Sequence, residues 1–301
     1  MKTLVIVTGP TGSGKTQLAI EIAESLHTEI VSADSRQIFM DIPIATAAPT
    51  PEEMARVTHH MVGVLPLDSY YSAACYEEDA LKILNEIWQR SDYAVMCGGS
   101  MMYIDVITNG IDRLPTVSES VRANVLGIYE AGGLDALCRE LERLDPDYLA
   151  GCDRTNPRRL IHAIEVSVEA GVPYSSLLTG EKVNRPFRVV KLAIGHTRQQ
   201  LFDRINRRVG AMVAQGLEEE ARRVYPLRHL NSLNTVGFKE MFAYFDGIMD
   251  RDTAIARIAK NTRVYAKKQL LWLSKDPSVI TLTPTDTLLA QALAAIDSAT
   301  R

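Results

Sequence analysis

"GPTGSGKT", residues 9–16, limits the folds open to this chain more than any other stretch. It fits the spacing G-x-x-x-x-G-K-[ST] and lies between the apolar, β-branched run "KTLVIVT" and "TQLAIEIAESLH". In the second run Leu18, Ala19, Ile22, Ala23 and Leu26 recur at helical spacing. A strand feeding a glycine-rich turn and then a helix gathers backbone N–H groups and a helix N-terminus at one point, a cradle for anionic oxygens. Lys15 adds a mobile positive charge, and the hydroxyl of Thr16 is a candidate ligand for Mg²⁺. The predicted phosphate-binding set is Gly9, Pro10, Thr11, Gly12, Ser13, Gly14, Lys15 and Thr16. The motif signals a diphosphate or triphosphate and says nothing of what is attached to it.

The alternation continues downstream. "TEIVSAD" reads as a second strand, and "DYAVMCGG" as a third after the amphipathic "YEEDALKILNEIWQRS". Strand, loop, helix, strand, helix, strand predicts α/β: a P-loop NTPase-like, doubly wound parallel sheet. After Leu114-Pro115 the alternation lapses, and residues 118–180 read as several helices, one of them begun by the cap Asn156 and then Pro157. "RVVKLAIG" returns to strand character, and Thr197 with Gln200 forms a capping-box pattern opening a helix that Gly216 is expected to stop. The expected organisation is a core of residues 1–115 and 188–301 with a small α-helical domain, 116–187, inserted between its strands.

Net charge is −4, which alone argues against a nucleic-acid partner, yet the charge is uneven. Residues 151–275 hold 22 Lys and Arg against 12 Asp and Glu, a basic region on an acidic remainder, compatible with a polyanionic partner. The four cysteines lack metal-ligand spacing and are expected reduced and buried. The first apolar run is too short for a signal peptide or a membrane span, and no other approaches about 20 residues, so no membrane partner and a cytoplasmic location are expected.

Users of ATP ordinarily need a second acid at the end of a later strand to steady the metal. The candidate strand here ends in Gly98-Gly99-Ser100 with no carboxylate. The conspicuous acid is Asp34, after the second strand, which should face the phosphate loop across the crevice. It could serve as metal ligand, general base, or the orienting acid of a small-molecule kinase, and spacing alone leaves these open.

With "SADSRQIF", residues 32–39, the pattern becomes specific. Together with the phosphate loop, "IATAAPTPEE", "HHMVG", "YSAACY", "GGSMMYI", "RTNPRRLIHAIEV", "FDRINRRVGAMVAQGLEEE", "NTVGFKE" and "YAKKQLLWL" follow in order. The chain resembles the tRNA dimethylallyltransferase (tRNA isopentenyltransferase) family over nearly its whole length. The resemblance implies transfer of a dimethylallyl group from dimethylallyl diphosphate to N6 of the adenosine 3′ of a tRNA anticodon, with Mg²⁺. The phosphate loop would then grip the donor's diphosphate. It implies Asp34 as general base, with Lys15 and Arg204 beside the diphosphate and Arg207 and Arg208 as further candidates. It implies tRNA contacts at Asp34, Ser35, Arg36, Gln37 and Ser100. Two further segments match tRNA-contacting stretches: Asn156, Pro157, Arg158, Arg159 and Leu160, and Asn234, Thr235, Val236, Gly237, Phe238 and Lys239. The helical insertion would lie over the anticodon stem, and a monomer is expected.

The chain departs from the family pattern at Phe39-Met40-Asp41 (usually Tyr-Lys/Arg-Gly), at Ala45 and Ala48 (usually Gly and Lys), and at Met101 (usually Gly). A Gly-to-Ala change bears on positions needing positive φ or close approach, and Ala48 lacks a cation beside the substrate. The alternatives to a tRNA prenyltransferase are a P-loop small-molecule kinase and a catalytically weakened tRNA-binding paralogue.

Overall fold

The computed structural model describes residues 1–301. The chain forms two compact units, residues 1–109 with 184–301, and residues 110–183. The sequence put these boundaries at 115/116 and 187/188. The differences have local causes. Gly110 takes φ 82° and ends a helix, after which Asp112 accepts hydrogen bonds from Thr179 of the smaller unit. Arg185 instead donates to the carbonyls of Ile107 and Val106 and pairs with Glu77, tying residues 184–187 to the larger unit.

In the larger unit six strands run β1 (Thr3–Thr8), β2 (Ile30–Ser32), β3 (His59–His60), β4 (Tyr93–Gly98), β5 (Arg188–Ile194) and β6 (Val279–Leu282). All pairs are parallel, in the order β3-β2-β4-β1-β5-β6. β1 is central, and Leu4, Val5, Ile6 and Val7 are each 0% exposed, as a strand covered on both faces requires. Helices α1 (Lys15–Ser25), α2 (Pro43–Thr46), α3 (Pro51–Arg56), α4 (Ala73–Ile87) and α5 (Met101–Asn109) precede the smaller unit. One core cluster joins Leu18, Ile22 and Ala23 of α1 to Val5, Val7, Val95 and Leu192 of the sheet.

The smaller unit is helical, as its periodicity predicts: α6 (Glu119–Leu144), α7 (Pro146–Gly151), α8 (Pro157–Ala170) and α9 (Tyr174–Leu177). α6 breaks at Gly133, φ 59° and ψ −150°, where the sequence separates "SESVRANVLGIYEAG" from "LDALCRELERLD". Leu137, Leu141, Leu149, Leu160 and Ile164 build its core. Buried Asp145 accepts from the N–H groups of Tyr148 and Ser175 and from the Ser175 hydroxyl, at 2.6–3.0 Å, closing α7 onto α9.

The larger unit then continues with α10 (Arg198–Ala214), α11 (Leu217–Val224), α12 (Phe238–Phe245), α13 (Arg251–Leu273) and α14 (Leu288–Thr300). Thr197 and Gln200 cap α10 reciprocally, as the pattern predicts, whereas Gly216 (φ 101°) opens α11 after Gln215 has already ended α10. The cysteines carry no disulfide and are half-buried, less buried than expected. No helix is long and apolar enough to cross a membrane.

Candidate active site

The carboxyl ends of β1, β2, β4 and β5 deliver four segments to one crevice: residues 9–16, Ala33–Gln37, Gly99–Ser100 and His196. Each segment of the phosphate loop that could collapse inward is held from behind. The Thr11 N–H donates to Oε1 of Gln269 at 3.0 Å, and the Ser13 N–H to the Pro10 carbonyl at 3.2 Å. Arg204 Nε donates to the Gly12 carbonyl at 2.7 Å, and His196 Nε2 meets the Ser13 carbonyl at 2.8 Å. What remains toward the cavity is Gly12, Gly14, Lys15 and Thr16, which with Arg204, Arg207 and Arg208 line a space of about 320 Å³. Of the eight loop residues predicted to bind phosphate, Pro10 has no N–H to offer, and the N–H groups of Thr11 and Ser13 are spent within the protein. Gly14 has to be glycine: its φ is +92°, and an added Cβ would lie 2.9 Å from Nη2 of Arg204.

The cavity is strongly electropositive. None of Lys15, Arg204, Arg207 and Arg208 forms a salt bridge. Burial pushes the Lys15 ammonium below the ordinary lysine value; Arg208 acts the same way, and Asp34 opposes. Burial also lowers Arg208, again opposed by Asp34. Gathering unpaired cations in partial burial is unfavourable by itself and is relieved by an anion. The Ser13 hydroxyl, 1% exposed as a residue, is buried without a hydrogen-bond partner in the same loop.

Asp34 stands at the other side of the crevice. Its Oδ1 accepts from the N–H groups of Arg36 at 2.9 Å and Gln37 at 3.3 Å, which fixes the carboxylate and leaves Oδ2 uncommitted. Its neighbours do internal work. The Ser35 N–H donates to Ser100 Oγ at 2.8 Å. Arg36 donates to the carbonyls of Asn231 and Ser232 at 2.7 and 3.2 Å. Gln37 donates to the carbonyls of Thr46 and Ala47 at 3.2 and 2.9 Å. Beneath Asp34, Tyr76 and Tyr103 stack at 3.8 Å, and burial pushes the Tyr103 phenol up to about 12.

The two other segments read as tRNA-contacting divide by burial. Asn156 caps α8 through Oδ1, and Arg158 and Arg159 are exposed. Leu160 is 0% exposed and its side chain packs the helical core. Phe238 is likewise 0% exposed, stacked on Phe242, while Lys239 is exposed. Arg36 links the turn preceding Asn234 to the Asp34 segment. Three supports carry no signal in the sequence: buried Gln269 and Glu220, and half-buried His196. Gln269 and His196 hold the phosphate loop, and Glu220 accepts from the N–H groups of Ile44 and Ala45 at 2.8 Å each. Gln269 stood inside "YAKKQLLWL" without any charge to mark it.

Two of the departures from the family pattern, Ala45 and Asp41, fall on backbone the residue can take. Ala45 lies inside α2, a helical position an L-residue takes freely. Positive φ falls on Asp41 (68°) and on Ala47 (45°), which ends α2. Aspartate tolerates that region better than most residues.

No group of three or more His, Cys, Asp or Glu could hold a metal unaided. Mg²⁺, which keeps several waters and takes few protein ligands beside substrate phosphates, does not need one. Thr16 lines the cavity with its hydroxyl, and the Cys97 thiol is pushed up to about 11 by burial and so neutral. That donor set fits a metal shared with a bound diphosphate.

A model of the IPP transferase family matches residues 37–276. The chain is 51% identical over 282 residues to tRNA dimethylallyltransferase 1 of Phocaeicola vulgatus, covering 94% of each chain. Among solved structures, the tRNA isopentenylpyrophosphate transferase of Bacillus halodurans superposes with a TM-score of 0.72 at 30% identity, covering 100% of this chain and 98% of that one. A eukaryotic dimethylallyltransferase acting on tRNA reaches a TM-score of 0.83 at 24% identity, covering 99% of this chain and 79% of that one, a likeness of fold. The family-model match, a parallel sheet carrying a phosphate loop, and this extent of identity agree: the chain belongs to the IPP transferase family.

Proposed function

We propose that the chain transfers a dimethylallyl group from dimethylallyl diphosphate to N6 of the adenosine adjoining the anticodon of tRNA on its 3′ side. The observation that carries this reading is the pairing of an unneutralised cationic cavity with a fixed carboxylate at its edge. The phosphate loop and its cations take the donor's diphosphate. The allylic C1–O bond breaks, and its electron pair leaves with the diphosphate. The N6 lone pair forms the new C1–N bond, and the N6 proton passes to Oδ2 of Asp34. Charge grows on the leaving oxygen as the bond breaks, so Lys15, the arginines and the loop N–H groups bind the transition state better than the ground state. Mg²⁺ held by Thr16 and the diphosphate would supply further neutralisation of that charge.

The acceptor base must leave its stack to reach the crevice, at a cost of about a few kcal/mol. Arg158 and Arg159 suit phosphate contacts on the stem, which position the RNA without reading it. Ser35, Arg36 and Gln37, in the turn after β2, act here by holding the acceptor wall through their hydrogen bonds.

The test is incubation of protein, Mg²⁺ and unmodified tRNA with dimethylallyl diphosphate or with ATP, followed by mass spectrometry of the digested nucleosides. Prenylated adenosine formed from the diphosphate donor, and lost in Asp34→Ala, is the expected result. Phosphoryl transfer from ATP with no prenylated product would establish a kinase instead. Tight tRNA binding with neither product would identify a catalytically weakened paralogue.

A further inference from the structure

Gln269 is 3% exposed in the middle of α13. Both ends of its carboxamide are engaged: Oε1 accepts from the Thr11 N–H at 3.0 Å, and Nε2 donates to the Gly99 carbonyl at 2.8 Å. The first partner lies in the phosphate loop and the second in the turn after β4. Gly99 leaves the room for this contact, since a Cβ there would stand 2.3 Å from Nε2. The next residue, Ser100, accepts from the Ser35 N–H at 2.8 Å, and Ser35 adjoins Asp34. A hydrogen-bonded path therefore runs from Thr11 through Gln269, the Gly99-Ser100 turn and Ser35 to Asp34.

The position demands an amide. Thr11 presents a donor and Gly99 an acceptor, and only a side chain with one of each answers both. A carboxylate would set oxygen against the Gly99 carbonyl, and an aliphatic group would leave two backbone groups unpaired. One turn earlier on α13, the partly exposed Tyr265, at i−4, has its phenol raised by partial burial and then by the Asp34 carboxylate, which lies within electrostatic reach. One helix thus touches the loop that would hold the leaving group and borders the acid that would receive the proton.

We propose that Gln269 is a positioning residue that sets the phosphate loop at its working distance from Asp34. This rests on the reading of the loop as the diphosphate cradle. Displacement requires the reacting atoms to be held in near-attack geometry, and a misplacement of about 1 Å can cost about 10²-fold in rate.

The experiment uses the full chain with Gln269→Glu and Gln269→Leu, with Gln269→Asn, one methylene shorter, should Gln269→Leu fail to fold. Single-turnover prenyl transfer is measured at saturating donor and tRNA, normalised to the fraction of folded protein. Calorimetry gives the affinity for inorganic diphosphate, and filter binding that for tRNA. The expected result is a transfer rate lower by about 10²-fold at saturation, with tRNA affinity within about twofold. A transfer rate within about threefold of wild type overturns the proposal, whatever the melting temperature does, because a merely structural role lowers the folded fraction and not the rate per folded molecule. If the wild type itself makes no prenylated adenosine, the functional reading has failed separately. Calorimetry then decides: diphosphate binding weakened about tenfold by the variants supports the positioning of the loop, and unchanged binding overturns it.

Discussion

The two sides of the crevice are built on opposite principles. On the phosphate-loop side, backbone N–H groups and the cations Lys15, Arg204, Arg207 and Arg208 face the cavity without a carboxylate to pair them. On the Asp34 side nearly every polar group is already satisfied: Arg36 and Gln37 grip backbone carbonyls, Ser35 is bound by Ser100, and Asp34 keeps one free oxygen. The first side stores unfavourable electrostatic energy that a diphosphate releases. The second stores none and is a rigid mount for a single reactive atom. A charged ligand would meet a site with its donors in place, and a neutral base a wall on which Oδ2 of Asp34 accepts no hydrogen bond from the protein.

The sharpest way to break this contrast is Asp34→Asn. Loss of a general base should slow transfer by about 10²–10⁴-fold, while diphosphate binding is unchanged or tighter because a nearby negative charge is gone. Weaker diphosphate binding in single-point calorimetry would show that Asp34 belongs to the other side. Lys15→Ala comes next, with transfer slowed by about 10²–10³-fold and diphosphate binding impaired, but tRNA binding intact.

The same lysine gives a pH dependence of definite sign. Its value is lowered by burial. As pH rises through that lowered value the ammonium loses its proton, so diphosphate affinity should fall before an ordinary lysine would titrate. The bound anion favours the charged form, so binding near that pH should take up protons. Calorimetry in two buffers of different ionisation heat checks this, and proton release would contradict it.

Smaller effects sharpen the acceptor side. Gln37→Leu leaves the Thr46 and Ala47 carbonyls without their donor and should cost about 1–3 kcal/mol of stability, read by denaturant unfolding, with diphosphate affinity unaltered. Least of all, Arg158→Ala and Arg159→Ala should each reduce the salt slope of tRNA binding by about 1 and leave the transfer rate of bound tRNA as it was. A change in rate without a change in slope would remove both residues from the stem.

Much of this was legible in the sequence, and unevenly. β1 and β4 are unbroken apolar runs stopped by glycine, and α1, α8 and α10 show a helical period, so local pattern and tertiary outcome agree. β3 and β6 are edge strands of two and four residues, too short to show a period. Gly216 was read as the end of one helix and is the beginning of the next, since a left-handed glycine serves either role. Leu160 and Phe238 are buried while their neighbours Arg159 and Lys239 are exposed, a division that a motif does not tell.

The sequence by itself determined the strand–loop–helix that makes an anion cradle, the acid at Asp34, and the family these motifs belong to. These follow from contiguous residues, where spacing alone fixes which backbone groups point together. Only the tertiary structure decided which loop N–H groups are left for a ligand, and which side chains of the Asp34 segment are already spent. It alone joined Gln269 to Thr11 across 258 positions of chain. Such pairings are between groups distant in sequence, and a buried donor or acceptor is satisfied by whatever the fold brings beside it, which no local pattern records.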